Sequence, residues 1–279
     1  MGFLSGSFAD VQVYCEGVSA DPTVTTTPTT PRFLTYSLPD VRWGWWDVIY
    51  GIGAFFLTVT LQIVAIAALD LGPENADVFG FIVGIVTYAA LVAVVVLASR
   101  KGFKSLGADF GVRFAWIDLP LGLAAGLVAK VFTIVLTGIA IVVTDHTPEQ
   151  GNFTLSDQSL WVLLNGVLIA SLVAPFVEEL FFRGLVLRAA RNRVLRRGGS
   201  PVRAAVVAIA VSSVGFALLH LLQSTDLTLL IILGGSTLAL GVINSVLAIA
   251  TGRIGASVVS HVFYNGSSIL LALLVSGAS

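Results

Sequence analysis

Charged residues are scarce in this sequence. Only 11% of its 279 residues are Asp, Glu, Lys or Arg, less than half of the about 25% that soluble domains carry. Apolar residues make up 56% and stand in long runs. The deficit argues against a soluble globular protein and indicates a chain that lies largely within a lipid bilayer. Membrane lipids are its expected surroundings, and no nucleic-acid partner is expected.

Cysteine and histidine are also rare. Cys15 is the single cysteine, which excludes an internal disulfide, a CxxC site and a cysteine nucleophile within the membrane. The three histidines are His146, His220 and His261, so the position of each is informative. His146 falls in an acidic loop and is expected to be solvated.

Residues 1–40 have the composition of a poor folding unit. The stretch 21–31 reads DPTVTTTPTTP and has no apolar periodicity, so we expect this segment to be disordered or loosely attached. No apolar segment precedes Arg32, the first basic residue. We therefore expect no cleavable signal peptide and an uncleaved first span. Residues 41–279 are predicted to form one transmembrane domain.

Long apolar segments follow from residue 45 onward. A helix needs about 20 apolar residues to cross the hydrocarbon core of a bilayer. The sequence predicts an all-α, polytopic transmembrane helical bundle with seven spans, or eight if a long segment is broken. This is a multi-pass protein, expected in the cell membrane. The predicted spans are 45–69, 77–99, 116–144, 159–187, 203–222, 227–250 and 254–277.

Loop charges predict the orientation of these spans. Arginines and lysines follow the second, fourth and sixth segments, whereas the loops between them are acidic. Because basic loops stay in the cytoplasm, the N-terminus is predicted to be cytoplasmic and the C-terminus to lie on the opposite side. All three basic loops fall on one side, which is consistent with seven spans.

The fourth segment carries three charges in the stretch APFVEELFFRG. A central membrane charge costs about 2.5–3.5 kcal/mol on insertion scales, so these charges must pair or face water. Glu179 and Arg183 are four residues apart, which predicts an ion pair on one helix face, and this pair could be purely structural. Glu178 is rotated by about 100° and is left free for water or substrate. Pro175, one turn earlier, predicts a kink beside the carboxylates.

Two later segments carry the remaining histidines. Phe216 and His220 are four residues apart, as are His261 and Asn265, so each pair shares one helix face. Either pair alone would be compatible with an ordinary structural role. Ionisable residues on three membrane helices are together a functional hypothesis by default. Counting from the basic loops places His220 deeper in the membrane than His261, with Glu178 between them, although a shared site requires them to meet.

Other polar and small residues in the spans are predicted to serve packing. Asn165 and Asn244 have no ionisable neighbours in the sequence and predict interhelical hydrogen bonds. Gly122 and Gly126 stand four residues apart, a spacing that suits close contact between membrane helices.

The charged and histidine motifs resemble those of the CPBP family of CAAX proteases and bacteriocin-processing enzymes, also called the Abi family. The family pattern is EExxxR, FxxxH and HxxxN or HxxxD, in this order on separate membrane helices. The resemblance covers about residues 100–277, and every signature position matches. The three motifs are Glu178-Glu179-xxx-Arg183, Phe216-xxx-His220 and His261-xxx-Asn265.

The resemblance implies an intramembrane endopeptidase that acts on membrane-associated peptides or proteins inside a cavity of the bundle. Glu178 is expected to be the general base that activates water, with help from His220. His261 and Asn265 are expected to donate hydrogen bonds to the oxyanion. The pair of Glu179 and Arg183 is expected to position its helix.

Metal dependence is left open by the motifs. A mechanism without a cofactor is favoured. The alternative is zinc held by Glu178, His220 and His261, a set of ligands that suits a catalytic zinc ion, although no HExxH motif is present.

Two other functions are compatible with the motifs. One is a catalytically inactive scaffold or accessory subunit of a membrane complex whose partner is unknown. The other is a transporter, since buried Glu and His residues also form proton relays. The first three predicted spans offer almost no polar groups for a transport path, which disfavours the transporter.

Overall fold

The computed structural model describes residues 36, 38–69, 73–148, 160 and 163–276. Residues 31–279 form one compact unit. The predicted disorder of residues 1–40 falls almost entirely outside the described residues. In the described ranges every regular element is helical, with no strand.

Eight helices make up the described part of the chain. Most are far longer than the average helix of a soluble protein, which is about 11–12 residues. They are α1 (Trp45–Leu69), α2 (Pro73–Ser99), α3 (Leu106–Phe110), α4 (Asp118–Thr144), α5 (Leu163–Arg196), α6 (Pro201–Leu221), α7 (Leu227–Thr251) and α8 (Gly255–Ser276).

Six of the described helices, namely α1, α2, α4, α5, α6 and α7, are long and apolar enough to cross a membrane. The seventh predicted span forms the 22-residue helix α8, which is not among these six. The predicted all-α polytopic bundle is thereby confirmed, while its orientation stays a prediction. The fourth predicted span, 159–187, was too short at its end, because α5 continues to Arg196.

Helix α5 lies at the centre of the bundle. It contacts α1, α2, α3, α6, α7 and α8, and Leu180, Phe181 and Leu185 on it are almost completely buried. The extension past residue 187 also packs inside the protein, since Ala189 and Ala190 are buried. The helix with the charged motif is therefore shielded from lipid by its neighbours.

Helix α5 changes its hydrogen-bonding register near the charged motif. Wider π-helical stretches, Leu163–Val173 and Leu180–Val186, flank the α-helical turn Ala174–Glu179. Pro175 is the second residue of this turn and has no N–H to donate. The disruption predicted at Pro175 is thus a change of helix type, and such π-helical insertions are frequent at functional sites.

Glycines let α8 approach α4 at backbone distance. A Cβ atom on Gly122 would lie 2.5 Å from Val259 Cβ and 2.6 Å from Ala256 O, and one on Gly126 would lie 2.7 Å from Ser260 O. All three distances are too short for real atoms, so only glycine fits at these two positions. The predicted role of these glycines in close packing is confirmed.

A buried ion pair fixes the start of the same two helices. Asp118 at the first position of α4 is fully buried. Arg253, in the turn before α8, donates from Nε to both carboxylate oxygens at 2.9 and 2.8 Å, and its Nη2 lies 2.7 Å from Asp118 Oδ1. The beginning of α8 is therefore fixed both by this ion pair and by the close glycine contacts with α4.

We predict that Gly122→Ala lowers the stability of the protein by about 1–3 kcal/mol, because the added methyl group overpacks the α4–α8 contact. Gly138→Ala is the matched control, since a Cβ there meets nothing within 4 Å and alanine favours the helix by up to about 1 kcal/mol. Thermal unfolding in detergent measures both. Equal melting temperatures for the two variants would contradict the close contact.

Candidate active site

The two residues predicted to pair are fully buried on α5. Glu179 Oε1 lies 3.1 Å from Arg183 Nη1, although the two groups are not aligned as a hydrogen bond. Arg183 Nη2 donates to Gly241 O at 3.2 Å. The guanidinium carbon lies 4.7 Å from the centre of the Phe216 ring, in a cation–π contact. The predicted ion pair is present, and it joins α5 to α6 and α7.

Glu179 also binds two other helices through the same oxygen. Asn244 on α7 donates from Nδ2 to Glu179 Oε1 at 3.0 Å, and His261 Nδ1 on α8 lies 3.0 Å from it. Asn244 does form the predicted interhelical hydrogen bond. The expectation that it lacks ionisable neighbours was wrong, because its partner comes from a helix 65 residues away in the sequence.

Glu178 points away from this network. Its side chain is 17% exposed, whereas that of Glu179 is fully buried. Tyr88 on α2 donates its hydroxyl to Glu178 Oε1 at 3.3 Å. The rotation of about 100° between neighbouring residues on a helix thus separates a carboxylate that holds the bundle from one that faces open space.

His261 lies between the two carboxylates. Its Nδ1 faces Glu179, while its Nε2 lies 3.7 Å from Glu178 Oε2. An imidazole donates at both nitrogens only when it is protonated. A carboxylate oxygen thus lies near each ring nitrogen, at 3.0 Å from Nδ1 and 3.7 Å from Nε2.

His220 stands one aromatic ring away from His261. The Phe216 ring centre is 4.5 Å from that of His220 and 5.5 Å from that of His261. His220 Nδ1 lies 2.9 Å from Phe216 O, and because a carbonyl only accepts, Nδ1 is the donor. In a neutral ring, Nε2 then keeps its lone pair free to accept a proton.

Four of the six predicted site residues line one cavity of about 420 Å³ inside the bundle. Glu179 and Arg183 lie behind this cavity and do not line it. A smaller cavity of about 90 Å³ shares Glu178 and His220 with the first, and its other lining is mostly apolar. The predicted residues that reach the larger cavity are Glu178, His220, His261 and Asn265.

Asn265 compensates for the proline in α5. Its Nδ2 donates to Ala170 O at 2.8 Å. Pro175 stands five residues after Ala170, so it has no N–H to offer this carbonyl in the π-helical register. This bond uses one of the two amide hydrogens of Asn265, and the other stays available to a ligand.

The length of α5 corrects the predicted depth of Glu178, but it does not account for the predicted difference between the two histidines. The residue count treated Arg188 as the start of a loop, but α5 ends at Arg196. Glu178 is therefore about 27 Å from that end of the helix, deeper than the count implied. Helix α6 begins at Pro201, close to the predicted start at residue 203.

Several polar residues of the site carry no signal in the sequence. Tyr88, Gln223 and Tyr264 line the larger cavity, yet none of them is a signature position of the three motifs. Lys130 on α4 lies 4.2 Å from the centre of the Tyr264 ring and donates to Ser268 Oγ. Lys130 belongs to none of the motifs. The sequence nevertheless carried a signal for it, because it is an ionisable residue within a predicted span.

The geometry offers no ready zinc site. In the part of the chain that the structure describes, no group of three His, Cys, Asp or Glu side chains is arranged to hold a metal ion. Nδ1 of His261 faces Glu179 and Nδ1 of His220 faces a carbonyl. Glu178, His220 and His261 share a cavity without forming a ligand set as they stand.

The fold and the site together define a multi-pass membrane protein with one carboxylate, two histidines and an asparagine around a cavity in the bundle. Residues 159–267 match the family model described as type II CAAX prenyl endopeptidase Rce1-like, and all three motifs lie in this segment. The predicted resemblance to the CPBP family is confirmed there, although the match is shorter than the predicted 100–277. No curated protein and no solved structure matches the chain.

We predict that Arg183→Met destabilises the protein by about 3–5 kcal/mol, because it leaves the buried Glu179 carboxylate without its cation. Arg203→Met is the control, since Arg203 is exposed on α6 and a surface change of this kind stays within about 0.5 kcal/mol. Thermal unfolding in detergent is the measurement. If both variants have the melting temperature of the wild type, the ion pair does not stabilise the bundle.

Proposed function

We propose that this protein is an intramembrane endopeptidase of the cell membrane, which cleaves membrane-associated peptides or proteins by attack of water. One observation carries the proposal: Glu178, His220, His261 and Asn265, from three separate helices, line a single cavity within the bundle. The match of residues 159–267 to CAAX-type endopeptidases supports it. A cavity of about 420 Å³ falls in the usual range of ligand sites.

Glu178 is the proposed general base. It is the carboxylate on the cavity, and its neighbour Glu179 is occupied by Arg183, Asn244 and His261. A water molecule beside Glu178 gives one proton to the carboxylate while its oxygen attacks the peptide carbonyl. The protonated Glu178 then delivers this proton to the leaving nitrogen as the carbon–nitrogen bond breaks.

His220 is proposed to hold the attacking water. Its Nδ1–H is used by Phe216 O, so Nε2 is the atom that can accept a hydrogen bond from water. His220 and Glu178 also line the same two cavities. A water between them would therefore be oriented by two acceptors on different helices.

His261 and Asn265 are proposed to stabilise the oxyanion. They lie four residues apart on α8 and both line the cavity. The second amide hydrogen of Asn265 and the Nε2–H of a protonated His261 are the donors. Glu179 orients the His261 ring from behind through Nδ1, in the way that a buried carboxylate orients the histidine of a serine protease. Fixed donors of this kind strengthen as charge develops on the carbonyl oxygen.

We predict that Glu178→Gln lowers peptide cleavage at least about a hundredfold, the usual contribution of a general base. The amide keeps the shape of the side chain but cannot take the proton. Asp145→Asn is the matched acid-to-amide control, because Asp145 is exposed after α4 with φ of 49°, where asparagine is tolerated. Wild type and both variants would be purified in detergent and given a peptide library, with products identified by mass spectrometry.

Loss of cleavage in Glu178→Gln alone would support the protease and its base. Absence of cleavage by the folded wild type would favour the inactive scaffold. Capture of the same partner protein by wild type and by Glu178→Gln would then support the scaffold role.

We expect cleavage to persist in the presence of a chelator. Inhibition by the chelator, reversed by added zinc, would instead support the zinc alternative.

A further inference from the structure

A second pocket of about 660 Å³ lies at the arginine-rich end of α5. The segment before α1, the first turns of α1, the turn after α2 and the last turns of α5 form it. Asn192 in its lining is 14 residues after Glu178, which is about 21 Å along one helix. The pocket is therefore separate from the candidate active site, and a ligand bound in it would not depend on the proposed protease activity.

The lining of this basic pocket is strongly positive. Its one acidic residue, Asp47, is paired with Lys101, whose Nζ lies 2.7 Å from Asp47 Oδ1. Arg196 donates to Val41 O at 2.7 Å, which compensates no charge. Within the described part of the chain, no carboxylate pairs with the four remaining cations. The cations that line the pocket are Arg42, Lys101, Arg193, Arg196 and Arg197.

Buried donors in the same lining have no acceptor. Asn192 is only 2% exposed; its Oδ1 accepts from the hydroxyl of Tyr36 at 2.9 Å. Burial raises the pKa of Tyr36, which keeps this hydroxyl a donor. Asn192 Nδ2 and Trp45 Nε1 are both buried without a partner among the described residues. Because buried polar groups are normally hydrogen-bonded, these two donors indicate a missing acceptor.

The position of the pocket suits an anion near a membrane surface. The 25-residue helix α1 begins in its lining at Trp45, and the N-terminus of a helix favours negative charge. Trp46 and Tyr50 beside it are 70% and 59% exposed, as is typical of aromatic residues at the membrane–water interface.

The orientation of the protein in the membrane does not by itself account for the features of this pocket. A basic loop at the cytoplasmic end of a bundle needs only exposed arginines. It needs neither a concave lining nor buried N–H groups that lack an acceptor. Uncompensated cations together with orphaned donors call for a ligand with several acceptor oxygens and negative charge.

We propose that the basic pocket binds the phosphate group of an anionic ligand, supplied either by the headgroup of an anionic phospholipid or by a soluble phosphate. Arg193 and Arg197 are exposed and are the cations that reach the phosphate oxygens. Asn192 and Trp45 donate from the inner side of the pocket.

The test compares two double variants of the full chain that lose the same charge. Arg193→Gln with Arg197→Gln removes two cations from the pocket. Arg100→Gln with Arg203→Gln removes two exposed arginines outside it. Purified proteins would be titrated with phosphatidylglycerol and with phosphatidylcholine, and bound lipid counted by native mass spectrometry. Melting temperatures would verify that all proteins are folded.

We expect wild type to retain phosphatidylglycerol in preference to phosphatidylcholine. The pocket variant should bind phosphatidylglycerol about 25-fold more weakly, since each arginine near an anionic surface contributes about fivefold, and the control variant should stay within about twofold of wild type. Equal weakening in both double variants, or none in either, would overturn the site.

Inorganic phosphate distinguishes the two sources. If an excess of it displaces phosphatidylglycerol from wild type and itself binds less well to the pocket variant, the site takes a soluble phosphate. If phosphatidylglycerol remains bound, the diacyl lipid is the ligand. Binding of inorganic phosphate that is the same in wild type and pocket variant, without any lipid preference, would overturn the proposal.

Discussion

A single buried oxygen, Oε1 of Glu179, holds the centre of this protein together. Arg183, Asn244 and His261 all meet it within 3.1 Å, so α5, α7 and α8 share one charge. In hydrocarbon such a charge is tolerated only when neighbouring groups satisfy it. The network therefore requires all three helices at once, and any arrangement of the bundle that separates them exposes a carboxylate or a guanidinium to an apolar interior.

The adjacent glutamate can remain available because this network forms without it. Glu178 contributes nothing to the contact between α5 and α7, and its partners, Tyr88 and His261, lie on the side of the cavity. The two carboxylates thus divide structural and chemical tasks between neighbouring positions of one helix. His261 is the residue that belongs to both groups, since one ring nitrogen faces each carboxylate.

Local spacing predicted the parts of this site that lie within one helix. The ion pair of Glu179 and Arg183 and the contact between the rings of Phe216 and His220 follow from the four-residue repeat. Local spacing could not predict the contacts between different helices. Asn244 and Tyr88 find their partners through folding in three dimensions, and an isolated Asn or Tyr in an apolar stretch predicts no particular neighbour. The end of α5 was misjudged because arginines, which indicate a loop in a membrane sequence, here continue a helix that packs inside the protein.

The backbone contact between α4 and α8 has a consequence for how the site can change. His261 and Asn265 are carried by α8 as one rigid unit, and Gly122 and Gly126 leave that unit no clearance on the side of α4. The distance from these two donors to Glu178 consequently depends on the surface of α4, although α4 contributes none of the proposed reacting groups. Redesign of the cavity for a bulkier substrate would therefore have to begin on α4, where one added methyl group shifts both donors together.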